Sequence, residues 1–525
     1  MTKIRLSAVW FGGVLAACSG GESGQRAPDA TVPDVAPPAD MGPAPPPDMG
    51  PAPPPDMGPA PPPDMGPATP ICPDENCPAV DLRDRACQAA TTCPAAEGCS
   101  AAGECGVCAL DAECRAGERC ASGACLPDAL PEWSLDVAPL DLQRIINFPE
   151  EDIFVPCALA VEGVRYDQGC RVRLRGGTSR GFPKKSFRIT FDPGAPHPGI
   201  NRKINLRAEY NDRTFMRNFL AVQTLRRLTV VPAPSARFVR LTLNGAYYGL
   251  MTEVDTVDDD FFEAQGLSPD APTYEADPPY ELSQLGAGAL IPLPDPALYP
   301  RNYDKKLGDP DDYSDLVDLI EGVIWPDYLS SRAGGPAAER LSRIVDVAEY
   351  LDYLAVMGLL QEQDHIRKNY YLTLQPRPAG PPRWLAVAWD MDLSFGCLWD
   401  EVSLDSLCDS HVIDEDPTRG RLPDGIDGGY PAQFFYNQLA HQVLADPVLR
   451  GAFDARLCGY ISGAFWTTTL PELIDATAAH IRESVEQDAN DLNADLTAFD
   501  AEVALLHDFV MQRAAFVSTF LGCPN

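Results

Sequence analysis

Asp364-His365-Ile366-Arg367-Lys368-Asn369 leads into Tyr370-Tyr371-Leu372-Thr373-Leu374. Past a Pro-rich turn follows Arg383-Trp384-Leu385-Ala386-Val387-Ala388-Trp389-Asp390-Met391-Asp392. The stretch reads as a carboxylate, an amide five positions on, a two-strand hairpin, and two more carboxylates where the second strand ends. Phosphoryl transfer needs about that set of groups: one carboxylate accepts the proton of the attacking hydroxyl, while an amide and a second carboxylate hold the metal that neutralises phosphate charge. The Asp-to-Asn spacing equals that of the loop H-R-D-x-x-x-x-N, although Gln363 stands before Asp364 and the His-Arg part is missing. Because residues i and i+2 of a strand face one side, Ala386, Ala388, Asp390 and Asp392 share a face if the strand runs that far. The bland reading of Asp390 and Asp392 is a solvated pair, or a calcium site without catalysis.

Outward from this stretch the composition changes sharply. At the N-terminus, Lys3 and Arg5 precede an apolar run ending Leu15-Ala16-Ala17-Cys18-Ser19. This is a secretory signal, and its ending resembles a bacterial lipobox with Cys18 as the lipidated residue. No other stretch approaches the roughly 18 apolar residues of a spanning helix. The expected location is therefore that of an exported lipoprotein, held at the outer membrane or cell surface through Cys18. Residues 19–71 carry Pro-Ala-Pro-Pro-Pro-Asp-Met-Gly three times from Pro43 to Gly66, which makes a semi-rigid spacer. Residues 72–126 hold ten Cys among Gly, Ala and acidic residues; so few large apolar side chains need disulfide staples, and five bridges are expected. Cys105-Gly-Val-Cys108 is read as part of that framework rather than as a redox motif. From 127 to 525 the chain is globular, and the six remaining Cys suggest three bridges, with Cys157–Cys170 and Cys397–Cys408 as the short-loop pairs. The net charge of -35 argues against a nucleic-acid partner.

Within the globular part the first half is strand-rich. Cys170–Arg175 and Lys185–Phe191 alternate around a Gly-rich turn, Gly176 to Gly181, and predict a hairpin. Asp212 is a candidate N-cap for a helix over Arg213–Leu228. Two strands flank Asn244-Gly245, a strong hairpin turn signal. The second half reads as helical over Ala337–Gln361, 432–464, 470–489 and 498–521. Alternation places Lys185 with Phe187 and Ile189 on the apolar face, where a lysine needs an anionic partner; Glu209 and Glu253 are both open as that partner. The Asp258-Asp259-Asp260 run reads as solvated surface. Scattered His residues and the absence of G-x-S-x-G give no support to a zinc or serine hydrolase.

Taken together, Arg173-Leu-Arg-Gly-Gly-Thr-Ser-Arg-Gly-Phe-Pro-Lys-Lys-Ser-Phe-Arg-Ile, Asn244-Gly-Ala-Tyr-Tyr-Gly-Leu with Glu253, the Asp364–Asn369 segment and Trp389-Asp-Met-Asp-Leu-Ser-Phe-Gly396 resemble the CotH kinase family, in that family's order. The resemblance implies an α+β, two-lobed protein-kinase-like fold with a strand-rich N-lobe and a mainly helical C-lobe. It implies ATP and Mg2+ or Mn2+ as cofactors, and hydroxyls of exported proteins as substrate; with the lipid anchor at Cys18 the expectation is a surface-anchored kinase acting on Ser or Thr, and a monomer. Asp364 takes the catalytic-base position, and Asn369 with Asp390 or Asp392 takes the metal positions. Lys184 or Lys185 contacts phosphate, helped by Gly177, Ser179 and Arg180 of the turn and by Glu253. The alternative is a non-catalytic surface or spore-coat-like protein built on the same fold.

Overall fold

The computed structural model describes residues 118–524, apart from 199–200, 278–287, 326–336, 366–367, 399–409, 412, 415, 418–436 and 489–494, with a few residues between 98 and 114. The signal segment, Cys18 and the Pro-rich repeats lie outside the described residues, as do most of the ten clustered Cys. In that Cys-rich stretch Cys108–Cys120 and Cys114–Cys125 are bridged, so Cys108 belongs to the framework and not to a CxxC site.

Eight strands form the main sheet: β1 (Glu132–Val137), β2 (Val155–Val161), β3 (Val164–Tyr166), β4 (Cys170–Leu174), β5 (Phe187–Phe191), β6 (Lys203–Arg207), β7 (Ala236–Leu243) and β8 (Ala246–Val254). Their order is β1-β7-β8-β6-β5-β4-β2-β3, and β1 also pairs with β2, so the sheet closes on itself with the short β3 left outside the closure. Closure follows from β1 pairing parallel to β7 on one side and antiparallel to β2 on the other. Inside the ring Trp133, Leu135, Leu159, Val172, Phe187, Ile189, Leu206, Val239 and Met251 pack into one core. The expected Cys157–Cys170 bridge joins β2 to β4. Asn244 and Gly245 both take the left-handed conformation that the β7–β8 turn requires.

The outer face of β7 and β8, through Ala236, Phe238, Leu250 and Val254, packs in a second core with the helices. These are α1 (Pro139–Asn147, which lies against β2 and β4 instead), α2 (Arg217–Leu228), α3 (Val347–Leu360), α4 (Gln438–Ala445), α5 (Pro447–Ser462), α6 (Leu470–Glu486) and α7 (Leu496–Leu521). Helix α2 starts four residues later than its sequence pattern predicts, because Asp212 caps a preceding turn, accepting from the Thr214 and Arg217 N–H, and Phe215 has a positive φ. The predicted helix over Ala337–Gln361 is two: a short one over Ala337–Leu341, then α3, with Val345 between them bridging to Trp384. Nor is α3 amphipathic, since nearly every one of its residues is buried. The segment expected to be helical over 432–464 breaks at Asp446-Pro447, where Asp446 caps α5. Cys458–Cys523 ties α5 to the chain end; Cys397 is also disulfide-bonded, and its expected partner Cys408 lies outside the described residues.

A smaller antiparallel sheet, β9 (Thr273–Ala276), β10 (Asp304–Leu307), β11 (Tyr370–Gln375) and β12 (Arg383–Ala388), has the order β10-β9-β11-β12. The hairpin read from the sequence is β11–β12, paired from Tyr370↔Ala388 to Gln375↔Arg383. Among the described residues no helix is long and apolar enough to cross a membrane.

Gly249 on β8 has φ +147°, and a Cβ there would stand 2.3 Å from Asp488 Oδ2. Gly249→Ala is expected to cost about 2–4 kcal/mol in denaturant unfolding, from backbone strain and crowding together. A loss under about 0.5 kcal/mol would show that Asp488 can move away freely.

Candidate active site

The Asp364 loop is built from inside the protein. Helix α3 ends with Gln361 in the left-handed conformation, and the buried Arg513 guanidinium of α7 donates to its last carbonyls, Gly358 O (2.5 Å) and Leu359 O (3.2 Å). A cation at a helix C-terminus suits both its dipole and its unpaired carbonyls. The next residue, Glu362, is buried, and its carboxylate accepts the backbone N–H of Asp364 (3.0 and 3.2 Å) and of His365 (2.6 Å). The His365 ring lies 2.8 Å from the Glu362 carbonyl through Nδ1 and edge-on to Tyr353, so it is packed as a neighbour rather than presented as a base. Burial raises the Glu362 pKa, while its bond to His365 opposes the rise.

So placed, the half-buried Asp364 carboxylate meets two partners. Asn369 Nδ2 donates to it at 3.0 Å and Lys368 Nζ pairs with it at 2.9 Å. Asn369 has φ +60°, and its N–H donates to Ala276 O on β9 (3.0 Å), which fixes it at the start of β11. Burial alone would lower the Lys368 pKa; Asp364 overcomes this, with Asp392 and Glu362 adding to the net rise. Lys368 is thus the electrostatic link between Asp364 and Asp392. Glu362→Gln turns one acceptor oxygen into an amide facing two backbone donors. The expected loss is about 1.5–3 kcal/mol of stability, read as a lowered unfolding midpoint; an unchanged midpoint would show that the loop holds without it.

Asp390 and Asp392 reach the same place by another route. Strand β12 stops at Ala388 and Asp390 has φ +56°, so strand alternation does not extend to these two acids as the sequence reading assumed. They are gathered by Arg207, the last residue of β6. Its Nη1 pairs with Asp390 and its Nη2 with Asp392 (2.9 Å), while Nε donates to Glu209 Oε1 (3.1 Å). Asn211 Nδ2 also donates to Asp392 (3.1 Å). Glu209 sits in the left-handed region at the turn after β6, buried, and its Oε2 has no hydrogen-bond partner among the described residues. Burial raises the Glu209 pKa, with Asp392 and Asp212 adding to the rise and Arg207 opposing it.

Asp364, Asn369 and Lys368 therefore form one bonded group, and Arg207, Glu209, Asp390, Asp392 and Asn211 a second, with the charge of Lys368 acting across to Asp392. Sequence reasoning missed Arg207 and Asn211; their signal was faint, a basic residue closing an alternating strand and a short polar run after it. The remaining predicted site residues are engaged elsewhere. Strand β5 begins only at Phe187, and it is Lys184, not Lys185, that is fully buried. Lys184 Nζ donates to Ala208 O (3.1 Å), Leu250 O (2.7 Å) and Asp488 Oδ2 (2.7 Å). Lys185 is half-buried, with Nζ on Arg180 O (2.6 Å). Of the two Glu left open by the sequence, Glu253 bonds Arg237 (2.9 Å) and Glu209 bonds Arg207, while the acid that Lys184 meets among the described residues is Asp488. Arg180 donates to Pro149 O (3.2 Å) and pairs with Asp152. Gly177 is exposed, and Ser179 lies under Gly176, whose missing Cβ leaves room for the Ser179 hydroxyl. The Asp258–Asp260 run is solvated only in part: Asp258 is buried, caps a short helix and pairs with Lys203.

The chain is similar to a known family. The family described as CotH kinase protein matches residues 172–517. The inner spore coat protein H of Bacillus subtilis (strain 168) is 24% identical over 393 residues, which span 75% of this chain and 98% of that relative. The matched span covers most of the chain and contains every group of the cluster, and the protein belongs to the CotH kinase family.

Proposed function

We propose that this protein is an atypical, two-lobed protein kinase that transfers the γ-phosphoryl group of ATP to Ser/Thr hydroxyls of exported proteins. The observation that carries the reading is the junction of the Asp364–Asn369 loop with Asp390 and Asp392 through Lys368 and Arg207. In kinases a loop carboxylate accepts the hydroxyl proton while a nearby amide and carboxylate hold the metal, and here those groups follow one another in the same chain order. The donors fit Mg2+ or Mn2+: Asn369, Asp390, Asp392 and Glu209 offer hard oxygen ligands, and Glu209 Oε2 is buried and unpartnered. A cation held there would neutralise phosphate charge. Among the described residues no three of these acids bring ligand atoms within 4.8 Å of one another, and Arg207 pairs with Asp390 and Asp392, so holding a cation there would require these two acids to turn from Arg207 toward it. Asp364, steadied by Lys368 and Asn369, orients and deprotonates the acceptor hydroxyl. A location at the outer membrane or cell surface, tethered by lipid, is supported by the lipobox-like ending at Cys18 and the Pro-rich spacer after it.

A second reading is a non-catalytic binding or coat protein on the same fold. It is favoured by Arg207, which already neutralises the two acids that a metal would use. Incubating the purified protein with γ-labelled ATP, either metal and an exported-protein fraction decides between them. Label transfer that depends on Asp364 supports the kinase; no transfer with either metal leaves the binding protein.

A further inference from the structure

Lys184 and Lys185 already bond protein groups, Lys184 the Ala208 and Leu250 carbonyls with Asp488 and Lys185 the Arg180 carbonyl, and the neighbouring strands carry further cations. Strand register supplies the candidates. Arg173 lies opposite Arg188, and Arg188 opposite Asn205, on the outer face of β4, β5 and β6. Arg175, two residues beyond Arg173, and Arg207, two beyond Asn205, continue that face toward the acid cluster. Of these four guanidiniums, Arg173 pairs with Asp152 (3.0 Å), and Arg207 with Glu209, Asp390 and Asp392. Arg175 and Arg188 are half-buried and have no side-chain hydrogen bond or ion pair among the described residues.

Their surroundings make this unusual. The Arg175 guanidinium lies 5.7 Å from the ring centre of Trp389, the residue just before Asp390. Trp389 in turn meets Tyr371 edge-on at 5.8 Å, and Tyr371 feels the charge of Arg188. Burial pushes the Arg175 pKa down to about 9, and the like charges of Arg207 and Arg188 add to the fall. Two guanidiniums thus lie beside a carboxylate cluster in a chain of net charge -35; Glu209 acts on Arg175 from a distance, and neither guanidinium is in an ion pair among the described residues. Burying a charge without a partner is costly, and a planar guanidinium fits phosphate through two parallel hydrogen bonds.

We infer that Arg175 and Arg188, rather than Lys184 or Lys185, bind the polyphosphate of the nucleotide, beside Trp389 and opposite the metal carboxylates. That the polyphosphate belongs to a nucleotide rests on the kinase reading; that this face takes a polyphosphate does not. Calorimetric titration of the full chain with inorganic tripolyphosphate, ATP and adenosine tests it. Arg175→Gln and Arg188→Gln should each weaken tripolyphosphate and ATP tenfold or more and leave adenosine unchanged, while Lys185→Gln stays within twofold. If Arg175→Gln fails to fold, as judged by its melting curve, the half-buried strand residue Arg188 decides alone. Tripolyphosphate bound in an Arg-dependent way without ATP binding would keep the anion site and reject the kinase. Binding that is insensitive to both Arg variants, loss of binding in Lys185→Gln, or a wild-type protein that binds neither ligand overturns the inference.

Discussion

Asp364→Ala is expected to reduce phosphoryl transfer by roughly 10²- to 10⁴-fold, the range that a positioned general base contributes. The chain keeps ATP affinity within about threefold in this variant, because Asp364 touches Lys368 and Asn369 rather than the arginine face proposed to hold the phosphates. The fold should survive as well: Asp364 is half-buried, and the backbone of its loop is held by the Glu362 carboxylate and not by the Asp364 side chain. A variant that loses turnover but neither nucleotide binding nor melting temperature places the residue in the chemistry. Undiminished transfer by Asp364→Ala would remove the carboxylate from the reaction and leave the activity without its base.

The largest stability effect is expected at Lys184. Its ammonium and the Asp488 carboxylate are both fully buried, and Leu250 N–H also donates to Asp488 (2.9 Å). The pair ties the segment after α6 to β8 and to the end of β6 through the Leu250 and Ala208 carbonyls. Lys184→Met leaves a buried carboxylate without its counter-charge, which costs about 3–5 kcal/mol when one member of such a pair is removed. Guanidinium unfolding should read that loss. The double variant Lys184→Met/Asp488→Leu should recover part of it, since replacing both charges removes the uncompensated group. A single variant within about 1 kcal/mol of wild type would mean that water or another cation reaches Asp488. The same measurement separates the two lysines: Lys185→Met, which loses one contact to a backbone carbonyl, should change stability by no more than about 1 kcal/mol.

Local chemistry made several parts of this fold legible in advance. Asn244-Gly245 dictates its turn because both residues tolerate positive φ. The alternating strands around Gly176–Gly181 pair as read, and a short loop brings Cys157 to Cys170. The Asp364-to-Asn369 spacing is itself local, so its hydrogen bond follows from a separation of five positions. Alternation failed where regular strand stopped: at Lys185, which precedes β5, and at Asp390, which follows β12.

The sequence by itself determined the strand-rich first half, the helical second half, the tight turns and the carboxylate–amide loop, because each depends on neighbours a few residues apart. Only the tertiary structure decided which charge meets which. Arg207 reaches acids 183 and 185 positions away, and Lys184 finds Asp488 across 304 residues. Ring closure through β1 and β2, the burial of Lys184 and the open guanidiniums of Arg175 and Arg188 likewise arise from packing. Such pairings depend on which surfaces the cores bring together, and no periodicity along the chain encodes them.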